Sequence, residues 1–311
     1  MSTVSSTEIE AAAVRVASYI RRTPIIELEY GTWDIPARIV LKLEQLQHTG
    51  SFKPRGTFNR MLSQSLPTAG VIAASGGNHG VAVAYAAQRL GCPAEIFVPD
   101  VCSPAKVALL RRYGAQVVIG GAAYADALAA SERRAAETGA LVVHAYDQPE
   151  VVAGQGTLGR ELAQQAPDLS TLLVAVGGGG LIAGIAAWYG RSVRLVGIEP
   201  ESAPTLYQAL QAGKPVDVQV GGVAVDALGA RRAGTIALGI ASQSLHDAVL
   251  VTDVAILAAQ RLLWDELRLV VEPAGATALA ALLSGAYRPQ EGERVGVVLC
   301  GANTDPRTLM T

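Results

Sequence analysis

The sequence predicts an α/β protein made of two open parallel sheets, each covered by helices. Three observations predict it. Short, mostly apolar β-branched runs alternate with alanine-rich helical runs, the pattern of parallel strands buried on both faces. The strand-like runs fall into two groups, 71–144 and 172–299. Glycine-rich motifs directly follow strands, at the carboxyl ends where open parallel sheets bind ligands.

The elements follow in chain order. An N-terminal helix is expected from about Thr7 to Arg21, with Thr7 as its N-cap. Strands are expected over 71–74, 95–98, 116–119, 141–144, 172–176, 194–198, 249–251 and 295–299. Helices are expected over 81–89, 104–113, 124–137, 157–165, 203–212, 254–267 and 274–283. The first strand group suits a small four-stranded domain over 67–145, inserted into a larger discontinuous domain formed by 1–66 and 146–311. Residues 170–190 carry no charge over a length that imitates a membrane span. Four consecutive glycines inside it, each costing about 1 kcal/mol in a helix relative to alanine, split it instead into strand, loop and helix.

Composition removes several function classes. Half of the 311 residues are hydrophobic and 17% are charged, with a net charge of −2, so there is no electrostatic case for nucleic acid or an acidic membrane. Cys92, Cys102 and Cys300 show neither disulfide-framework nor zinc spacing, which makes a reducing cytoplasm the expected compartment. Residues 1–10 lack the apolar core of a signal peptide.

Four motifs carry chemistry. In Gly50-Ser51-Phe52-Lys53-Pro54-Arg55-Gly56, the lysine is held between an aromatic ring and a proline that opens a helix-like run. That setting suits an amine that must keep one position, as a Schiff-base lysine does. Gly177, Gly178, Gly179 and Gly180 lie between an apolar strand and a helix, where backbone amides and the helix dipole favour a phosphate. Packing alone accounts for one or two glycines there, hardly four. No Lys-Ser/Thr follows, so the loop is not a Walker A motif. Ser75-Gly76-Gly77-Asn78-His79-Gly80 also joins a strand to a helix. There Ser75 is a candidate cap, the helix terminus suits a carboxylate, and His79 is either an acid–base group or structural. Cys300, after the last strand, reads either as a small buried hydrophobe or as a weak hydrogen-bonding partner for a ligand. His48, His144 and His246 show no convincing partners in the sequence.

Together with Ala153-Gly154-Gln155-Gly156-Thr157, Glu199-Pro200, Glu272-Pro273-Ala274-Gly275-Ala276 and Cys300-Gly301-Ala302-Asn303, these motifs resemble the fold-type II pyridoxal-phosphate enzymes. The resemblance spans nearly the whole chain. It is to the threonine/serine dehydratase branch, which is related to serine racemase and has a tryptophan-synthase-β-like fold. It implies pyridoxal 5'-phosphate as cofactor, with Lys53 as the Schiff-base lysine that afterwards takes the α-proton. It also implies that Phe52 packs on the cofactor ring, Asn78 bonds its 3-hydroxyl and Gly177, Gly178, Gly179 and Gly180 cradle its phosphate. It implies that Cys300 faces the pyridine nitrogen, where a thiol leaves the ring a weaker electron sink than an aspartate would. Ser75, Gly76, Asn78 and His79 form the loop that receives the substrate carboxylate.

The implied reaction is β-elimination of water from L-threonine or L-serine, giving 2-oxobutanoate or pyruvate and ammonia. Serine racemase activity and 3-hydroxyaspartate dehydration are the alternatives within the fold. The racemase places a serine where this chain has Gly76, which favours dehydration. Relatives with a divalent metal use a glutamate matching Glu199, but a second acidic ligand is replaced here by Thr205, so no metal is expected. The chain ends too soon after Cys300 for a C-terminal regulatory domain. The expected partners are a small amino-acid substrate and further copies of the chain in a homo-oligomer. From other classes, a dinucleotide-dependent oxidoreductase would leave the lysine motif without a role. A cofactor-binding protein without turnover would be exposed by the absence of keto-acid release.

Overall fold

A computed structural model describes residues 4–309. Helix α1 (Ser6–Val16) begins at a reciprocal cap: the Ser5 hydroxyl accepts from the Glu8 amide at 3.3 Å, and the Glu8 carboxylate accepts from the Ser5 amide at 2.8 Å. The cap is therefore Ser5 and not Thr7, because this pairing satisfies two otherwise orphaned groups two residues earlier. The helix ends at Val16 and not Arg21, since the Tyr19 and Ile20 amides both turn back onto the Val16 carbonyl.

Next come β1 (Ile25–Leu28), β2 (Arg38–Lys42) and α2 (Pro54–Leu62), of which neither strand is expected from the sequence. The chain then passes through β3 (Val71–Ala74), α3 (Asn78–Leu90), β4 (Ala94–Val98) and α4 (Pro104–Arg112). β5 (Gln116–Ile119), α5 (Tyr124–Thr138) and β6 (Leu141–Val142) follow. These four strands form one parallel sheet in the order β5-β4-β3-β6.

After α6 (Pro149–Gln165), the chain runs through β7 (Thr171–Ala175), α7 (Gly180–Tyr189), β8 (Arg194–Pro200), α8 (Thr205–Ala212), α9 (Val225–Leu228) and α10 (Thr235–Ser244). It finishes with β9 (Leu245–Val251), α11 (Asp253–Leu267), α12 (Pro273–Leu283) and β10 (Arg294–Val298). The second sheet has the order β1-β2-β10-β7-β8-β9 and is parallel except for the β1–β2 pair. The uncharged stretch 170–190 is β7, the glycine loop and α7, as its glycines require. Among the described residues no helix is long and apolar enough to cross a membrane.

Each sheet has its own apolar core, and α2 joins them. Phe58 and Met61 of α2, both fully buried, pack into the core of the four-stranded sheet. The same helix crosses α6 so closely that a Cβ on Gly154 would lie 2.6 Å from the Arg55 carbonyl oxygen. A Cβ on Gly156, two residues further on the other side, would lie 2.8 Å from the Gly184 carbonyl oxygen of α7. The Ala-Gly-Gln-Gly motif is thus the surface on which α2, α6 and α7 meet, and glycine is needed there for close approach.

Candidate active site

The carboxyl ends of both sheets face one cleft, about 480 Å³ of empty space partly open to solvent. Phe52, Lys53, Asn78, Tyr146, Glu272 and Cys300 line it, together with the glycine loop 177–180 and the apolar residues Val176, Leu181, Ala227 and Leu228.

Lys53 stands at the head of α2, with helical φ and ψ of −54° and −35° and proline at the first position of the helix. Pro54 is tolerated there because that amide has no helical partner, and its ring fixes the backbone just after the lysine. The Lys53 amine is half-buried and donates to the Ala145 carbonyl at 2.9 Å, with Nζ 5.0 Å from the centre of the Phe52 ring. Burial pushes its pKa down to about 8, against the opposing pull of the Glu272 carboxylate. In the cofactor-free protein, acylation of Lys53 should therefore rise through an ionisation near pH 8. Below that pH the amine is protonated and unreactive. Peptide mapping of acylated protein across a pH series reads it, and an ordinary ionisation near 10.5 would refute the assigned burial.

Cys300 follows β10, lies 3% exposed and donates from Sγ to the Ala274 carbonyl at 3.4 Å. Burial, aided by the Glu272 carboxylate, raises its pKa, so the thiol stays neutral. The Phe52 amide donates to the Cys300 carbonyl at 3.1 Å, which ties the lysine segment to the end of β10.

Asn78, the first residue of α3, is gripped from the other sheet. Its Nδ2 donates to Glu272 Oε1 at 2.6 Å, and its Oδ1 accepts from Asn303 Nδ2 at 2.7 Å. Asn303 also donates to the Thr49 carbonyl at 2.8 Å, close to Gly50, whose φ of +74° turns the chain toward Lys53. Burial raises the Glu272 carboxyl to about 7, partly countered by the Asn78 hydrogen bond. Glu272 and Asn303 belong to motifs quoted above, but the sequence offers no sign that they meet Asn78, 194 and 225 residues away.

The glycine loop lies in the cleft, and α7 begins there without a side-chain cap. Packing demands more of these glycines than the sequence suggests. A Cβ would lie 3.0 Å from Leu228 Cα at Gly177, 2.6 Å from Ala237 Cβ at Gly179, and 2.8 Å from the Tyr146 carbonyl oxygen at Gly180. At Gly178 it would run into the Tyr146 ring, and Gly179 has a φ of +90°. Close packing therefore accounts for all four glycines, not only one or two. What points to an anion is the uncapped helix terminus opening on the cleft.

Tyr146 is held by a histidine that the sequence leaves without a partner. His144 Nδ1 accepts from the amides of Tyr146 at 3.2 Å and Asp147 at 2.9 Å. Asp147 in turn accepts from the Thr235 and Ile236 amides, 3.0 Å each, and so closes the start of α10 beside the loop.

In the other loop, Ser75 does not cap α3. The N-cap position is Gly77, and the Ser75 hydroxyl accepts from the Gly77 amide at 3.2 Å. Gly76 borders Cys102, whose Sγ would lie 2.6 Å from a Cβ added at position 76. His79 is 4% exposed, and its Nε2 bonds the Val143 carbonyl at 2.8 Å, which fastens α3 to the end of β6. Burial pushes its pKa down to about 3, with Lys53 adding to the effect, and its ring is not among the groups lining the cleft. Glu199 is also turned away: its carboxylate accepts from the Leu206 and Tyr207 amides, 2.7 Å each, at the start of α8.

Known proteins are similar to this chain. The chain is 40% identical to an L-threonine ammonia-lyase of Geobacter sulfurreducens, over 97% of this chain and 76% of that one. It is 38% identical to a phenylserine dehydratase of Ralstonia pickettii, over 97% of this chain and 94% of that one. Its fold superposes on a structure of maize serine racemase with a TM-score of 0.93 at 32% identity, covering 99% of this chain and 96% of that one. A family model for pyridoxal-phosphate dependent enzymes matches residues 16–301, and the chain belongs to that family.

Proposed function

We propose that this enzyme removes water from L-threonine or L-serine by β-elimination, giving 2-oxobutanoate or pyruvate and ammonia. The observation that carries the reading is the Lys53 amine, depressed to a pKa of about 8 and set in one cleft with the neutral Cys300 thiol and the glycine loop. The relatives named above for threonine and phenylserine support it by class, since both names describe loss of a β-hydroxyl or an amino group.

The residues present fit pyridoxal phosphate. The uncapped start of α7 offers backbone amides to a phosphate, and the 177–180 loop has no side chains to obstruct it. Phe52 offers an apolar face beside the amine. When bound, the cofactor supplies an aldehyde for an amine and a ring that withdraws electrons from the substrate's Cα.

The chain's own groups do the rest. Lys53, neutral above its pKa, takes the proton from Cα. Asn78 is held in one orientation by Glu272 and Asn303, so it meets the cofactor without first reorganising. The 75–79 loop and the uncapped start of α3 receive the substrate carboxylate. Cys300, being neutral, would bring no charge to a bound cofactor, which would leave more electron density at Cα and favour loss of the β-hydroxyl. Val176, Leu181, Ala227 and Leu228 exclude water along the walls.

A second reading, racemisation of serine, has the similarity to maize serine racemase in its favour. The cytoplasm is the compartment that suits this reading, supported by three unpaired cysteines. A panel of L-threonine, L-serine, 3-hydroxyaspartate and phenylserine, scored by keto-acid release, tests the function. Release from threonine or serine is expected. A protein that binds the cofactor yet releases keto acid from none of them would refute it.

A further inference from the structure

Behind Lys53 lies a group of charges that no step above uses. Arg55 is fully buried and meets the Glu44 carboxylate through two parallel bonds, Nε to Oε2 and Nη2 to Oε1, both 2.7 Å. The same Nη2 reaches Glu161 Oε2 of α6 at 3.1 Å, and Nη1 reaches the Thr157 hydroxyl at 3.3 Å. Lys42, also fully buried at the end of β2, pairs with the other oxygen of Glu161. Its remaining bonds go to the Thr23 carbonyl at 2.7 Å and Gln165 Oε1 at 2.8 Å. Two cations and two carboxylates thus cancel in the interior, and every one of them has a hydrogen-bonded partner.

Buried ion pairs add little stability over well-packed apolar residues of the same volume, because desolvation consumes the Coulombic gain. What a satisfied, directional network does provide is a single geometry. Here that geometry bears on α2. Lys53 and Arg55 are two residues apart in a helix of 3.6 residues per turn, so their side chains leave on opposite sides. The Thr57 amide donates to the Lys53 carbonyl at 3.2 Å, so Lys53 already belongs to the helical ladder. Turning α2 about its axis would move the Arg55 fork off Glu44 and swing the Lys53 amine in the cleft by the same angle.

We infer that Glu44, Arg55, Glu161 and Lys42 form a positioning cluster that locks the rotation of α2 and thereby aims the Lys53 amine. The inference rests on the proposed role of Lys53 as the reacting amine. None of the four touches substrate; they act through the helix. The glycine crossing at Gly56 and Gly154 sets how near α2 lies to α6, and the cluster sets its angle.

Glu44→Gln tests it, since it keeps the shape and removes one charge of the fork. The expected result is a kcat lowered by ~10²-fold, the cost of a misplacement of about 1 Å, with KM changed far less. The ionisation of Lys53, read by acylation of the cofactor-free protein, should shift as well. Glu44→Asp, which keeps the charge balance but shortens the reach, is the variant to use if Glu44→Gln does not fold, and it should give a smaller loss of the same kind. A lowered melting temperature with unchanged kcat and unchanged Lys53 ionisation would overturn the inference and leave the cluster a packing feature. Borohydride labelling of the unaltered protein separates the two readings. A label away from Lys53 defeats the role of the lysine itself, whereas a label on Lys53 with indifferent Glu44 variants defeats only the positioning.

Discussion

Lys53→Ala is expected to abolish keto-acid release, with a loss of at least ~10⁴-fold. Two contributions vanish with the amine. The covalent attachment of the cofactor is lost, and so is the base that takes the α-proton, a role that alone is worth ~10²–10⁴-fold. Neither His79 nor Cys300 replaces it. His79 has its ring bonded to the Val143 carbonyl and its pKa pushed down to about 3, so it neither reaches the cleft nor cycles a proton near neutrality. Cys300 faces the cleft, but its buried thiol is too weak an acid to yield a thiolate. The unaltered protein should be yellow with cofactor and the variant should not hold that colour after dialysis. Borohydride reduction and peptide mapping should place the adduct on Lys53. An adduct on another lysine, or residual activity within tenfold of the unaltered protein, would sink the assignment.

The second large effect concerns the opposite face of the substrate. L-serine is expected to give pyruvate at least ~10²-fold faster than D-serine if Gly76 matches the racemase's serine, as the resemblance implies, because glycine offers no proton donor or acceptor opposite Lys53 and an unpositioned water forfeits most of what general acid–base catalysis supplies. By that resemblance Gly76 holds the place of the racemase's serine. Installing that side chain is not free of consequence here, because a Cβ at position 76 would come within 2.6 Å of Cys102 Sγ. The thiol is the end of a side chain and can turn aside, so Gly76→Ser should raise racemisation relative to elimination modestly, and Gly76→Ser with Cys102→Ala more. Chiral chromatography run beside a pyruvate assay measures the ratio. Comparable D-serine and pyruvate yields from the unaltered protein would reverse the reading and favour the racemase alternative.

The sheets were legible in the sequence wherever a strand is apolar on both faces. In the smaller sheet β3 is apolar and buried at every position, the run that burial by helices on both sides demands, while β5 at the edge has only intermediate or exposed positions. β1 and β2 were not. β1 is an antiparallel edge strand of four residues with only intermediate or exposed positions, and nothing local marks it as part of a sheet. β2 ends on the buried Lys42, a residue that argues against a core strand until Glu161 is seen beside it. The start of α6 was also missed: the expected helix begins at 157, whereas the observed one begins at Pro149, because glycines at 154 and 156 read as loop residues until α2 and α7 are seen to need them.

The sequence by itself determined the chemistry that depends on residue type in a short window. A lysine between phenylalanine and proline, a tetraglycine after an apolar strand, and a cysteine after the last strand each declare a capability within a few residues, since local backbone freedom and side-chain chemistry are local properties. The tertiary structure alone decided which capabilities meet. It set Glu272 and Asn303 on Asn78, turned His79 away toward Val143, made His144 the support of Tyr146, and closed the charges of Lys42, Glu44, Arg55 and Glu161 into one neutral cluster. These partners lie up to 225 residues apart, and their contacts come from the order of strands in two sheets and the angle at which helices cross them. A hydrogen bond depends on distance in space, and only the folded chain supplies that distance.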